Sequence, residues 1–222
     1  MENKQINRDL PGWIDNHVVR LGQSAIRILD EFAIYIDVFK KNPRTPKADF
    51  LFVTHNHGDH FNPDVVQELH KPTTHVIVPE SMRRNHQDKG LSTEGIEPGE
   101  TKTIGSLTVT AIPAYNLKKP MHPRKDGFVG YLITLPNGLK IYHAGDTDFV
   151  PEMRGLEADI AFLPVGGLAT MNWKEALEAQ KAMVAGLTIP IHYGLIPFSV
   201  SGARKFLAQG GDRVKELLNL KK

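Results

Sequence analysis

The apolar positions of this chain fall in short runs broken by polar or glycine-containing segments, a strand-rich pattern in its first half. Residues 18–21, 25–29 and 33–38 are apolar or β-branched. They are separated by Gly22-Gln23-Ser24 and by Asp30-Glu31, the second of which resembles a hairpin turn. Residues 50–53 are apolar throughout, as a buried strand should be. Val65, Val66 and Leu69 then repeat at helical spacing over 64–70, with Pro63 suited to the first turn. A strand is expected at 75–78 and a helical turn at 79–85, and the polar, glycine-rich 90–103 reads as loop or edge structure. Residues 107–112 alternate up to Pro113, a basic loop follows over 115–127, and 128–135 with 140–143 form a hairpin about Pro136-Asn137-Gly138. After a strand at 160–163 comes the clearest helix, 172–185. There Asn172 and Glu175 suit a reciprocal cap, and Ala176, Leu177, Ala179, Ala182 and Met183 share one face. A last strand at 188–191 precedes helical segments at 203–207 and 213–218. Strands in two groups, each followed by helices, predict an α/β protein with two sheets covered on their outer faces.

A length of 222 residues suits a single domain over 1–222, and a hydrophobic fraction of 41% is enough for its core. The 27 basic and 25 acidic residues nearly balance, so bulk charge gives no case for a nucleic-acid partner. With no cysteine, there is neither a disulfide nor a thiolate ligand, and any metal must be held by nitrogen and oxygen. The first residues lack the apolar core of a signal peptide, and no apolar run is long enough to span a membrane. A cytoplasmic protein acting on a small molecule is the expectation, and a homo-oligomer is compatible with it.

One stretch changes the picture. Thr54-His55-Asn56-His57-Gly58-Asp59-His60 follows directly on the buried-strand pattern. His55 and His57 in an extended loop can converge on one ion, and Asp59 and His60, after a glycine that permits a tight turn, can serve a second. Imidazole and carboxylate suit Zn²⁺ first, and also Mn²⁺ or Fe²⁺. Further ligands must come from later in the chain. Asp146 and His192 are the candidates, because each follows a short apolar strand in a glycine-containing loop. A carboxylate such as Asp146 can bridge two ions.

These residues carry a resemblance to the metallo-β-lactamase superfamily. His55, His57, Asp59 and His60 match its His-x-His-x-Asp-His motif, and Gly145-Asp146-Thr147 and Pro190-Ile191-His192-Tyr193-Gly194 resemble its later ligand loops. The stretches 21–24, 35–37, 144–148 and 163–167 look like the branch related to ascorbate-6-phosphate lactonase and N-acyl-phosphatidylethanolamine phospholipase. The resemblance implies an αββα four-layer sandwich with two divalent ions at one edge, and a metal-dependent hydrolase. The chain departs from the pattern twice. Where a third histidine ligand is usual in Pro-Ala-x-His, it has Pro113-Ala114-Tyr115-Asn116, so either Asn116 or His122 from the basic loop completes the first site, or that site is weak or filled only with substrate or another ion present. Gln23 stands where the branch commonly has a histidine.

In the mechanism so implied, a metal-activated water attacks an anionic ester, lactone or phosphodiester, with Asp59 orienting it. His122 and Tyr193 are further catalytic candidates, Tyr115 is a possible donor, and Asp37 and Asp49 are possible acceptors behind the ligands. Lys118, Lys119, Arg124 and Lys125 would favour an anionic substrate. Other residues have plainer expectations. His143 packs or donates a hydrogen bond, His17, His70, His75 and His86 are ordinary, and Met121, Met153 and Met171 are candidates to line an apolar pocket. Gly166-Gly167 either shapes a pocket wall or makes a turn. Two other functional readings stay open: a phosphodiesterase acting on RNA or nucleotides, kept alive by the basic loop, and a non-catalytic metal-binding or sensing protein, suggested by Asn116.

Overall fold

The computed structural model describes residues 9–41, 45–86, 92–195 and 197–217. Its first sheet consists of β1 (Val18–Gly22), β2 (Ala25–Leu29), β3 (Ala33–Ile36), β4 (Phe50–Phe52), β5 (His75–Pro79) and β6 (Glu94–Ile96), side by side in that order. The second holds β7 (Thr101–Ile104), β8 (Leu107–Pro113), β9 (Val129–Thr134), β10 (Lys140–His143), β11 (Glu157–Pro164) and β12 (Val184–Ile191), in the order β12-β11-β10-β9-β8-β7. Each sheet is mixed, with two antiparallel and three parallel pairings in the first and three antiparallel and two parallel in the second. The parallel parts are β3 to β6 and β10 to β12. The α-helices among the described residues are α1 (Leu10–His17), α2 (Pro63–Leu69), α3 (Glu80–His86), α4 (Trp173–Ala182) and α5 (Pro197–Gln209).

Period-two alternation sorts the side chains into layers. Ile34, Ile36, Phe50 and Phe52 of the first sheet meet Tyr131, Ile133, Ile160 and Phe162 of the second in one buried cluster between the sheets. Their chain neighbours Tyr35, Leu51 and Val53 point the other way and pack with Val65, Val66 and Leu69 of α2. On the opposite outer face, Ala161 and Leu163 lie with Ala176, Leu177 and Ala179 of α4 and Phe206 of α5. This is the αββα sandwich. Burying each large apolar side chain in it contributes about 1.5–3 kcal/mol.

Several elements differ from the sequence expectation. The unforeseen α1 starts where the Asp9 side chain accepts a hydrogen bond from Gly12 N–H at 3.0 Å. Helix α4 carries the expected Asn172–Glu175 capping box but ends at Ala182, because Val184 already pairs with Glu157 in the parallel ladder of β12 with β11. Ladder bonds override the helical spacing of the last residues there. By contrast, the polar stretch 90–103, expected as loop or edge structure, does supply edge strands, β6 in the first sheet and β7 in the second. Over 213–218 the expected helix is a 3-10 turn at Gly211–Arg213 followed by extended Val214 bridged to Thr188, and Leu218 lies outside the described residues.

Candidate metal centre

The candidate ligands come from strand ends. The stretch Thr54 to His60 follows β4, Asp146 follows β10 and His192 follows β12, so parallel strands from both sheets deliver them to one edge, the usual ligand crevice of parallel β-structure. His122 arrives from the basic loop. Three groups of candidate ligand atoms converge there, each within 4.8 Å of one another: His55, His57 and His122; His55, His60 and Asp146; and Asp59, His60 and His192.

Asp146 sits between two halves. Its Oδ2 is 3.9 Å from His55 Nε2, 3.8 Å from His122 Nε2 and 2.9 Å from His192 Nε2, and its Oδ1 is 3.2 Å from His60 Nε2. In the first half, His122 Nε2 is 3.1 Å from His57 Nδ1. In the second, Asp59 Oδ2 is 3.9 Å from His60 Nε2 and 3.8 Å from His192 Nε2. Zinc ligands about 2.0–2.1 Å from an ion stand roughly 3.3–3.4 Å apart in a tetrahedron, so these separations match a coordination shell. His55 Nε2, His60 Nε2 and Asp146 Oδ1 are buried without a hydrogen bond, although the last two are close. Buried polar atoms without partners are costly, and bound metal would satisfy all three.

A layer of hydrogen bonds behind the rings sets which nitrogen faces inward. Fully buried Asp37 accepts at Oδ1 from Thr54 N–H, and at Oδ2 from the Thr54 hydroxyl and from His60 Nδ1, each at 2.8 Å. With its proton given to Asp37, Thr54 Oγ1 can only accept from His55 Nδ1, 3.0 Å away. His122 Nδ1 lies 3.1 Å from the Ala169 carbonyl and 3.2 Å from Asn116 Oδ1, both acceptors. In the neutral ring, His55 and His122 therefore carry the proton on Nδ1 and turn a bare Nε2 toward the cluster. Asn116 thus stands behind His122, and the two residues between which the sequence left a choice form one assembly. The loop is also closed by Asn116 N–H donating to the His122 carbonyl at 2.9 Å.

Electrostatics divide the two halves. Burial, with His60 adding to it, holds His55 well below the ordinary imidazole pKa, and burial likewise lowers His122. Burial opposes charge on His60 too, but Asp146 and Asp37 against its ring hold it well above the ordinary value. Burial would raise the Asp146 carboxyl, yet His60 and His192 keep it well below the usual carboxylate range. The surroundings thus favour charge on His60 and Asp146 and disfavour it on His55 and His122.

The backbone marks the same place. Among the described residues, the non-glycine residues with positive φ are Gln23 (43°), Asp37 (55°), His122 (56°) and His192 (58°). All four are in the cluster or bonded to it. Such conformations cost of order 1–3 kcal/mol each and gather at functional sites. Gly166 shows a related constraint: a Cβ there would lie 2.6 Å from His192 Nδ1, so only glycine lets that ring take its position.

Other candidates stand elsewhere or are already engaged. The Tyr193 ring lies under the Arg20 guanidinium, 3.9 Å from its centroid, and among the described residues its hydroxyl makes no hydrogen bond to the cluster. Tyr115 donates its hydroxyl hydrogen to Glu152. Asp49 lies at the opposite end of β4, where it accepts from Ala33 N–H and pairs with Lys71. Lys119 is held by Asp148, the Thr170 carbonyl and Glu175, and Arg124 pairs with Glu152 at 3.0 Å, whereas Lys118 and Lys125 are exposed. Met153 and Met171 are core residues under the second sheet, and Met121 is exposed. His143 donates to the Ser24 carbonyl at 2.9 Å and packs near Phe162. Sequence reasoning passed over Thr54, the Ala169 carbonyl and Phe128, whose ring lies 5.3 Å from that of His55. No spacing rule marks a backbone carbonyl or an aromatic cover.

Known proteins share this sequence pattern and fold. The model of the beta-lactamase superfamily domain matches residues 35–193. A UPF0173 metal-dependent hydrolase of Thermococcus onnurineus is 31% identical over 213 residues, covering 89% of this chain and 93% of the relative. One from Methanoregula boonei is 33% identical over 186 residues, covering 80% of this chain and 82% of the relative. A crystal structure provisionally named a metal-dependent hydrolase, from Parabacteroides distasonis, superposes with a TM-score of 0.77 at 30% identity, over 90% of this chain and 91% of that one. The diiron β-hydroxylase CmlA of Streptomyces venezuelae shares the fold alone, with a TM-score of 0.75 at 16% identity, over 93% of this chain and 53% of that one. Matched across most of its length by that domain and by these relatives, the chain belongs to the beta-lactamase superfamily, as one of its metal-dependent hydrolases.

Proposed function

We propose that this hydrolase works with two divalent ions, Zn²⁺ before Fe²⁺ or Mn²⁺, on a small anionic ester, lactone or phosphodiester. The observation that carries the reading is the pair of ligand groups joined through Asp146, with His55 Nε2, His60 Nε2 and Asp146 Oδ1 buried, inward and without hydrogen bonds. His55, His57 and His122 would hold one ion, Asp59, His60 and His192 the other, and Asp146 would serve both. Bound there, the ions would supply Lewis-acid polarisation of the scissile group and make a water acidic enough to attack near neutral pH.

The chain's own residues do the rest. Asp37 fixes the His60 ring directly and the His55 ring through Thr54. Asn116 and the Ala169 carbonyl do the same for His122. Asp59, partly exposed at 30% of its side chain, would accept a hydrogen bond from the attacking water. Phe128 beside His55 and His122 keeps water off that side of the rings. Lys118 and Lys125 are the cations left to meet an anionic substrate, since Lys119 and Arg124 are paired. Exposed Leu117, Met121 and Leu168 adjoin Asn116, His122 and Ala169 in sequence, and would receive an apolar part of the same substrate.

No particular observation favours RNA as substrate. The reason for a non-catalytic reading weakens with His122 beside His57. The test is metal content per chain after purification without chelator, together with hydrolysis of carboxylic ester, lactone and bis(nitrophenyl) phosphate probes. Two ions per chain and chelator-sensitive turnover of one probe class are expected. A chain that retains two ions and turns over none of the three classes refutes the proposed chemistry.

A further inference from the structure

Gln23 lies in the β1–β2 turn, outside the residues given metal roles above. Its terminal amide atom Nε2 is 3.3 Å from Asp59 Oδ2 and 3.3 Å from His192 Nε2. Both neighbours are candidate ligand atoms of the second ion, and 3.3 Å is close to the separation of two ligands on one zinc. Gln23 is 7% exposed, and its Oε1 is buried without a partner. The turn is pinned on both sides. His192 N–H donates to the Gln23 carbonyl at 3.1 Å, and His143 Nε2 donates to the Ser24 carbonyl at 2.9 Å. A left-handed φ of 43° at a glutamine is held in place by these contacts, which aim the carboxamide into the cluster.

The two ends of a carboxamide have nearly the same shape, and their chemical neighbours decide which faces where. Without an ion, the nitrogen faces Asp59 Oδ2, to which it donates, and stands beside His192 Nε2. An ion takes the lone pairs of His192 Nε2 and Asp59 Oδ2, and an N–H then has little to gain there. A half-turn of the amide exchanges its ends and presents the oxygen, a suitable donor for a hard or borderline cation. We propose that the Gln23 side-chain oxygen is an additional ligand of the second ion, beside Asp59, His60 and His192. This inference rests on the two-ion reading. It assigns a ligand to a position where the resemblance puts a histidine.

The experiment titrates metal-stripped protein with Zn²⁺ against a chromophoric chelator, and records the visible absorption of the Co²⁺-loaded protein. Gln23→Asn tolerates the left-handed backbone but is one methylene too short to reach, so it should loosen the second ion tenfold or more. Its Co²⁺ absorption should also intensify, as expected when the coordination number falls. Gln23→Glu keeps the reach and adds charge, and should bind that ion at least as tightly as the parent. If the amide nitrogen instead only steadies Asp59, Gln23→Glu removes the donor and weakens binding, which would overturn the proposal. An unchanged second affinity and spectrum in Gln23→Asn would overturn it too, while leaving the two-ion reading intact. A parent chain that takes up one ion refutes that reading, and this ligand with it.

Discussion

Replacing Asp37 by asparagine tests the relay behind the rings. Asparagine tolerates the 55° φ, keeps the shape, and still accepts from Thr54 N–H at Oδ1, so the fold should survive. An NH₂ group now stands where Oδ2 accepted two bonds of 2.8 Å. His60 Nδ1–H loses its acceptor. The Thr54 hydroxyl must turn to accept from the amide, its hydrogen then points at His55 Nδ1, and the His55 proton is driven to Nε2, where the lone pair is needed. Losing a hydrogen bond to a charged group costs about 1.5–3 kcal/mol. Removing an outer partner of a metal-binding histidine typically costs about 10–100-fold in metal affinity, which is of the same size. Both ions should bind about 10–100-fold more weakly, the one at His60 more so, in Zn²⁺ competition against a chromophoric chelator with circular dichroism as the control for folding. Two ions held within about threefold of the parent affinities would refute the relay and the ring tautomers deduced from it.

Thr54→Val interrupts only the branch to His55. It should weaken the ion at His55, His57 and His122 about tenfold and leave the other near parent affinity, and equal weakening of both in the same titration counts against the separation. His122→Ala should lower metal content from two ions toward one, whereas Asn116→Ala, which leaves the Ala169 carbonyl as acceptor, should keep two with a several-fold looser first ion; loss of an ion in Asn116→Ala alone would restore Asn116 as the ligand. For pH, the folded His60 pKa is raised, so its pair with Asp146 stabilises the metal-free chain fully below the ordinary imidazole pKa, and that stabilisation is lost as pH rises through the folded value. The Asp146 pKa is depressed, so its share is present above the ordinary carboxylate pKa and is lost as pH falls through the lowered one. Melting temperatures of chelator-treated protein should therefore fall from neutral to alkaline pH, and Asp146→Asn should flatten that slope; a slope unchanged in Asp146→Asn contradicts the pair. Gly166→Ala pushes a methyl against His192 and should loosen the second ion while sparing the first, as metal content after mild dialysis would report.

The layered fold was legible because uninterrupted apolar runs such as Ile34-Tyr35-Ile36 and Phe50-Leu51-Phe52 mark strands covered on both faces, here by the second sheet on one side and by α2 on the other. Element ends were less legible. The helical spacing of α4 runs on into Met183, and only the ladder to β11 shows where the helix must stop. Edge strands β6 and β7 carry few apolar residues, so their pairing is a tertiary fact. Within the candidate site, the density of potential ligands in 55–60 pointed to the place, and Asp146 and His192 followed from strand-end logic and resemblance. The roles of Asn116, Lys119 and Arg124 depended on which neighbour each found, and a long flexible side chain near a site in sequence is as free to pair with Asp148 or Glu152 as to face a substrate.

His122 reaches the cluster from the loop between β8 and β9, while His192 directly follows β12 and His55 and His60 follow β4. The two halves therefore differ in how fast they can exchange their contents. Letting go of His122 requires the loop to open and Lys119 to leave Asp148, the Thr170 carbonyl and Glu175, which leaves both sheets intact, whereas letting go of His60 breaks its bond to Asp37 beside β3. Metal residence time in the first half becomes a reading of loop opening. A protease that cuts between Leu117 and Met121 should compete with the ion for the same opened state, so that occupancy protects the loop from cleavage and cleavage empties one half while the other keeps its charge.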